Sequence, residues 1–201
     1  SSNKPTTEYS FSAQDVFADV PSGGGGDTSC GSTSCGSTGT DGSCGDGDSD
    51  SEGADGCFLA GTLITMADGS KKAIEEVVVG DLVRSWDTEK LVYATSKVNK
   101  VWTGAMRGVY AFNGSIHTTA DHPYWVVGKG WAAVETNTIV AHKIENLGTL
   151  AVGDQLLAED GSSVIIETIQ KVRDTEEQMF NLADVEEYHN FFAAGVLVHN
   201  K

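Results

Sequence analysis

Gly56-Cys57-Phe58-Leu59-Ala60-Gly61-Thr62-Leu63-Ile64-Thr65-Met66-Ala67-Asp68-Gly69-Ser70 is the stretch at which this chain changes character. Upstream, from Pro21 to Gly56, there is no Val, Ile, Leu, Met, Phe, Tyr or Trp, and Ser, Thr, Gly and Asp dominate. Such a segment buries too little apolar surface to offset its chain entropy, so it reads as a flexible acidic linker. From Cys57 onward, short apolar runs alternate with turn signals, beginning with Thr62 to Met66 before Ala67-Asp68-Gly69. Asp81 to Trp86, Lys90 to Thr103, Arg107 to Phe112 before Asn113-Gly114, Tyr124 to Val127 before Gly-Lys-Gly, and Ser163 to Val172 continue the pattern. Runs of this length, bounded by Gly, Asn and Asp, are the mark of strands and hairpins. Only Lys71 to Val78 reads as a helical turn, so the expected fold class is all-β.

The organisation follows. Residues 1–20 read as the remnant of an upstream unit, with one short amphipathic patch from Ser12 to Val20. Residues 21–56 are the linker, with a repeated Thr-Ser-Cys-Gly-Ser and an acidic tip from Asp46 to Asp55; residues 57–200 are the folded domain, and Lys201 flanks it. Val79-Gly80-Asp81 recurs as Val152-Gly153-Asp154, an echo expected of two equivalent β halves.

The chain carries 13 Lys and Arg against 29 Asp and Glu, a formal net charge of −16. Nucleic acid and anionic membranes need a basic surface, so neither is an expected partner, and a monomer is expected. No apolar run is long enough to span a bilayer and no basic-then-apolar start resembles a signal peptide. Cys30, Cys35, Cys44 and Cys57 lack the tight spacing of a zinc knuckle. The alternating carboxylates of the acidic tip place Ser51 where a calcium loop needs Gly and Cys57 where it needs Glu. No metal and no cofactor is therefore expected.

Three separated signals carry chemistry: Gly56-Cys57, Thr119-Ala120-Asp121-His122-Pro123, and His199-Asn200. A Cys following a Gly can bring its thiolate onto the carbonyl of that Gly, converting the peptide bond to a thioester. Holding nucleophile and carbonyl together is worth an effective molarity of roughly 10⁵ M or more, but a thiol with a pKa of about 8.5 still needs activation. The leaving amide nitrogen must gain a proton, a task for a His titrating near neutrality, and a hydroxyl is needed to bond the tetrahedral oxygen. His122 and Thr119 suit these roles. At the other end the carboxamide nitrogen of Asn200 can attack its own main-chain carbonyl, forming a succinimide and breaking the bond to Lys201, with His199 and His189 supplying proton transfer. His117 and His142 fall outside these motifs and are expected to be structural or surface residues.

Cys57 through Asp81, Thr119 through Pro123, and Met179-Phe180-Asn181-Leu182 through Tyr188-His189 to Asn200 together resemble the ordered blocks of the Hint domains of the hedgehog and intein family, most closely a bacterial intein-like or mini-intein domain. The resemblance implies a horseshoe of two pseudo-symmetric β halves and a single-turnover, self-cleaving activity. It implies Cys57, Thr119, His122, His189, His199 and Asn200 as catalytic residues, supported by Gly56, Asp121, Asn181 and Lys201. The substrate is then the chain's own flanks, with an external thiol, amine or water as acyl acceptor. Splicing inteins carry Cys, Ser or Thr after the terminal Asn, and many relatives carry Asp at the position of Asn181; Lys201 and Asn181 therefore point to uncoupled cleavages in place of splicing. Hedgehog-type acyl transfer, which has no need of Asn200, and a β binding or linker module that has lost activity are the alternatives.

Cys57 must be a free thiolate to attack, so a reducing environment is expected for activity. Cys57 lies 13 positions after Cys44, and flexible-chain reach of roughly 5 to 6 Å times the square root of residue number brings the two within bonding distance. Mild oxidation is expected to stop cleavage reversibly in the natural chain and to spare a variant with Cys30, Cys35 and Cys44 all changed to Ser. Cleavage rates before and after reduction check this; equal inhibition of both chains would place the oxidation on Cys57 itself.

Overall fold

A computed structural model describes residues 56–137 and 144–200. The Ser12 to Val20 patch, the linker with its three cysteines and acidic tip, His142 and Lys201 lie outside the described residues.

The described chain is almost entirely β. Its strands are β1 (Phe58–Leu59), β2 (Leu63–Thr65), β3 (Lys71–Ala73), β4 (Leu82–Asp87), β5 (Val92–Phe112), β6 (Ile116–Thr119), β7 (Tyr124–Val126), β8 (Gly130–Ala133), β9 (Gly148–Thr149), β10 (Gln155–Leu157), β11 (Ser163–Ile165), β12 (Ile169–Val185), β13 (Asn190–Ala193) and β14 (Val196–His199). The helical turn expected at Lys71 to Val78 is a single 3₁₀ turn, Ile74–Glu76, with β3 before it. The break expected between Thr103 and Arg107 is absent: β5 runs unbroken for 21 residues. The reason is tertiary, because β12 pairs with it from Val98 to Phe112 and absorbs the irregularity as register shifts, one of them opposite Gly108.

Two sheets result. One has the order β12-β1-β6-β5-β4, with β12 also paired to β5; the other runs β11-β10-β7-β14-β13-β2-β3, with β8 and β9 branching from β7. Phe58, Ile64, Val83, Val98, Phe112, Tyr124, Leu156, Ile166, Leu182, Phe191 and Val198 form one continuous core between them. Burying side chains of this size contributes about 1.5–3 kcal/mol each relative to exposure, which is what makes short strands hold.

The two halves repeat the same turn in atomic detail. Asp81 Oδ2 accepts the Val78 N–H at 2.9 Å and the Lys72 ammonium at 2.6 Å; Asp154 Oδ2 accepts the Ala151 N–H at 2.9 Å and the Lys129 ammonium at 2.7 Å. Gly80 and Gly153 sit at φ of +97° and +96°, a conformation open to residues without Cβ. Each donates its N–H at 2.8 Å to a strand of its own half, Gly80 to Val98 and Gly153 to Ile166. The three-residue echo in the sequence is thus the turn that closes each half. β2, β3, β4 and β5 answer to β7, β8, β10 and β12, and the long strands β5 and β12 pair antiparallel where the halves meet.

Burial opposes ionisation of Asp81, but the hydrogen bond and charge of Lys72 and the Val78 N–H outweigh it and hold the carboxyl below its ordinary 3.8. Its stabilisation is therefore fully present above pH 3.8 and is lost as pH falls through the lowered folded value. Asp81→Ala is expected to cost about 1–2 kcal/mol, Asp154→Ala a similar amount. Urea unfolding at neutral pH measures both, and for Asp81→Ala the deficit should shrink toward zero in strong acid.

Candidate active site

The two ends of the domain meet around His122. At the first end, β1 is the middle of three strands: Phe58 pairs with Phe180 on β12 and with Thr118 on β6. This seats Cys57 beside Thr119, and the two residues bond reciprocally. The Cys57 N–H donates to Thr119 Oγ1 at 2.9 Å, and the Thr119 N–H donates to the Cys57 carbonyl at 3.0 Å. Cys57 is fully buried, in an apolar cluster with Val109 and Met179 that Leu59, Trp102 and Met106 complete.

The ground-state position of Thr119 differs from expectation. Its hydroxyl engages the nitrogen that would leave, where sequence reasoning set it on the tetrahedral oxygen.

Gly56 lies directly against His122. It sits at φ +61°, and a Cβ there would come within 2.3 Å of His122 Nδ1 and 2.8 Å of Cγ. No other residue fits without displacing the imidazole. The ring itself is held between aromatic neighbours, Phe58 at 4.4 Å and 58° and Tyr124 at 5.7 Å and 60° between centroids. Burial drives its pKa down to about 3, opposed by the Gly56 and His199 backbones, while the charge of His199 lowers it further. A ring expected to titrate near neutrality is therefore neutral at rest, because almost no water reaches it. Neither ring nitrogen meets hydrogen-bond geometry among the described residues, so those two backbone groups stand near without closing a bond. Tyr124, fully buried, has its hydroxyl pushed well above the ordinary range by desolvation, with Thr118 opposing.

At the second end, β13 and β14 form a hairpin with Asn190 opposite His199. The His199 N–H donates to the Pro123 carbonyl at 3.0 Å, tying β14 to the residue after His122. The Asn200 N–H donates to the His189 carbonyl at 2.8 Å, and Asn200 is buried. His189 itself is exposed at φ +49°. Its charge adds to burial in pushing His199 down to about 4, with the Asn200 backbone opposing. Asn181 is buried on β12 opposite Trp102, and Asp121 is half-buried beside Thr119 and Ala120 at a cleft. His117, opposite Ala111 on β6, stands outside this centre. Among the described residues no three His, Cys, Asp or Glu side chains are placed to hold a metal ion.

Sequence reasoning missed Asn190. Its side chain accepts the Trp86 N–H at 2.8 Å and donates to the Trp86 and Tyr188 carbonyls at 2.9 Å, binding β4 to the turn that precedes β13. Nothing in the local pattern distinguishes this Asn from a solvated one.

The bacterial intein-like domain of Clostridium thermocellum matches this architecture at TM-score 0.58 and 29% identity, over 72% of this chain and 98% of that one. The described residues adopt the Hint fold of intein-like domains. A DnaB intein from Synechocystis matches at TM-score 0.55 and 20% identity, covering 73% of this chain and 99% of its own. The DnaX mini-intein of Spirulina platensis matches at 0.52 and 20%, covering 72% and 99%. No protein-family model and no curated protein sequence matches the chain.

The Gly56 contact has a direct consequence. Gly56→Ala adds backbone strain of about 1–3 kcal/mol at a left-handed position and pushes a methyl group into His122. It is expected to slow Cys57-dependent cleavage at least tenfold while the fold persists; thiol-induced cleavage followed on gels, with circular dichroism alongside, checks it.

Proposed function

We propose that this Hint domain cleaves its own chain at two places and turns over once. In the first step the Cys57 thiolate adds to the Gly56 carbonyl carbon, the C–S bond forms, and the C–N bond to Cys57 breaks to leave a thioester and a free amine. The proton count balances if neutral His122 takes the thiol proton and, as imidazolium, returns it to the departing nitrogen. Burial keeps the ring neutral at rest, so its lone pair is free to take a proton, and it disfavours the imidazolium, which favours handing that proton on to the nitrogen. Thr119 fixes that nitrogen through its hydroxyl. An external thiol, amine or water then takes the acyl group and releases residues 1–56. A cleft of about 350 Å³ beside Thr119, lined by Met106, Arg107, Asp121, Glu135 and Lys171 among others, offers such an acceptor a way in.

In the second step Asn200 Nδ2 attacks the Asn200 carbonyl carbon, the bond to Lys201 breaks, and its nitrogen leaves as an amine. His199, neutral at neutral pH, accepts the carboxamide proton and, as imidazolium, returns it to the departing Lys201 nitrogen, and His189 assists from the surface. Lys201 carries no thiol or hydroxyl to receive the upstream acyl group, so the two events are cleavages and not splicing.

The observation that carries this reading is the reciprocal Cys57–Thr119 pair with Gly56 seated on His122. Cys57→Ala should abolish cleavage at Gly56–Cys57, and dithiothreitol or hydroxylamine should accelerate it in the natural chain. His122→Ala should slow it by about 10² to 10⁴, far more than His117→Ala. Asn200→Ala should abolish only the cleavage after residue 200. Mass spectrometry of purified chains distinguishes all four; undiminished cleavage in Cys57→Ala would sink the mechanism.

A further inference from the structure

One aromatic side chain that no assigned role uses stands against the C-terminal pair. The indole of Trp131 on β8 packs on the imidazole of His199, ring centroids 4.8 Å apart and planes at 90°. Its position is fixed through the same strands that fix His199. Trp131 pairs with Trp125 on β7, their rings 5.1 Å apart at 76°, and both pack against the cluster of Trp86, Leu157, Phe192 and Leu197. β7 pairs with β14 at Tyr124 and Val198, and Pro123 accepts the His199 N–H. The backbone of residue 199 and the wall its ring rests on therefore move as one unit. His199 Nδ1 is buried with no hydrogen bond among the described residues. The Asn200 backbone stands near the ring without closing a hydrogen bond to Nδ1, so packing against the indole is left to set its rotation.

We propose that Trp131 is a positioning residue for Asn200 cyclisation, holding the His199 ring in one orientation next to Asn200. The inference rests on the second cleavage of the proposed function. A perpendicular aromatic pair is favourable for a neutral imidazole, and an indole also attracts the imidazolium that forms when the ring takes a proton. The indole thus tolerates both protonation states while keeping water away. The titratable groups that act on the ring are His189, from the turn before β13, and His122, whose own shift includes the charge of His199. Without the indole, water reaches the ring and its pKa relaxes from about 4 toward 6.5. The neutral form is the proton acceptor, so the acid limb of the cleavage rate should move up by the same interval.

The test uses the full chain. In an Asn200→Ala background, which keeps the scissile bond, proton NMR follows the His199 C2 proton with pH, assigned by its loss in His199→Gln. In parallel, mass spectrometry follows cleavage after residue 200 in chains that retain Asn200, and dithiothreitol cleavage at Gly56–Cys57 reports that the fold is intact. The expected result is an upward shift of the His199 midpoint and at least tenfold slower cleavage after residue 200 in Trp131→Ala, with both restored in Trp131→Phe and dithiothreitol cleavage unchanged throughout. Trp131→Leu replaces Trp131→Ala if the latter loses dithiothreitol cleavage along with the rest. A moved midpoint with an unchanged rate overturns the positioning role and leaves the proposed function standing. An unmoved midpoint with an unchanged rate overturns the packing argument as well. No cleavage after residue 200 in the natural chain, with the His199 titration as expected, overturns the inference through the reaction it rests on and leaves the contact intact.

Discussion

The reciprocal bond between Cys57 and Thr119 is the constraint on which the rest of the site depends. Two main-chain and side-chain groups that would otherwise be buried without partners satisfy each other, and doing so locks the first residue of the domain into register with β6. A buried amide left unpaired costs on the order of 1–3 kcal/mol, so Cys57 stays where its N–H has Thr119. Once β1 is fixed between β6 and β12, Gly56 has one direction left to go, and that direction is across the face of His122.

His122 and His199 share a physical logic. Both pack against aromatic neighbours, Phe58 and Tyr124 for the buried His122 and Trp131 for the half-buried His199, and in both burial disfavours the charged ring. A neutral buried imidazole can borrow a proton and return it within one event, which is what an acyl shift or an Asn cyclisation asks. The two rings also sense each other, since the charge of His199 lowers the pKa of His122. This disfavours both being charged at once, so the ends of the domain communicate electrostatically even though Lys201 gives them no shared acyl group.

The architecture that brings these ends together is built from a repeated unit. The Asp81 and Asp154 turns close equivalent halves with matching hydrogen bonds, and β5 with β12 provides the seam. β7 of the second half lies next to β14, which puts the His122 turn and the terminal hairpin side by side. The two ends of the domain therefore share one centre.

Much of this could be read from the chain before any coordinates. Short apolar runs bounded by Gly, Asn and Asp signals determined the all-β class, because run length and turn chemistry are local properties of the sequence. The Gly56-Cys57 junction, the Thr119 to His122 block and the terminal His199-Asn200 pair could be picked out as candidates because reactivity depends on which groups are present and in what order. What the tertiary structure alone decided concerns environment and direction. Thr119 accepts the Cys57 N–H, His122 is buried with its charged form disfavoured, β5 runs on through Gly104 and Gly108, Asn190 ties β4 to the turn before β13, and Trp131 packs on His199. Each depends on a neighbour distant in sequence: Phe58 for His122, β12 for β5, Trp86 for Asn190, His199 for Trp131. Water exclusion and hydrogen-bond geometry are properties of assembled strands, and no local pattern of residues encodes them.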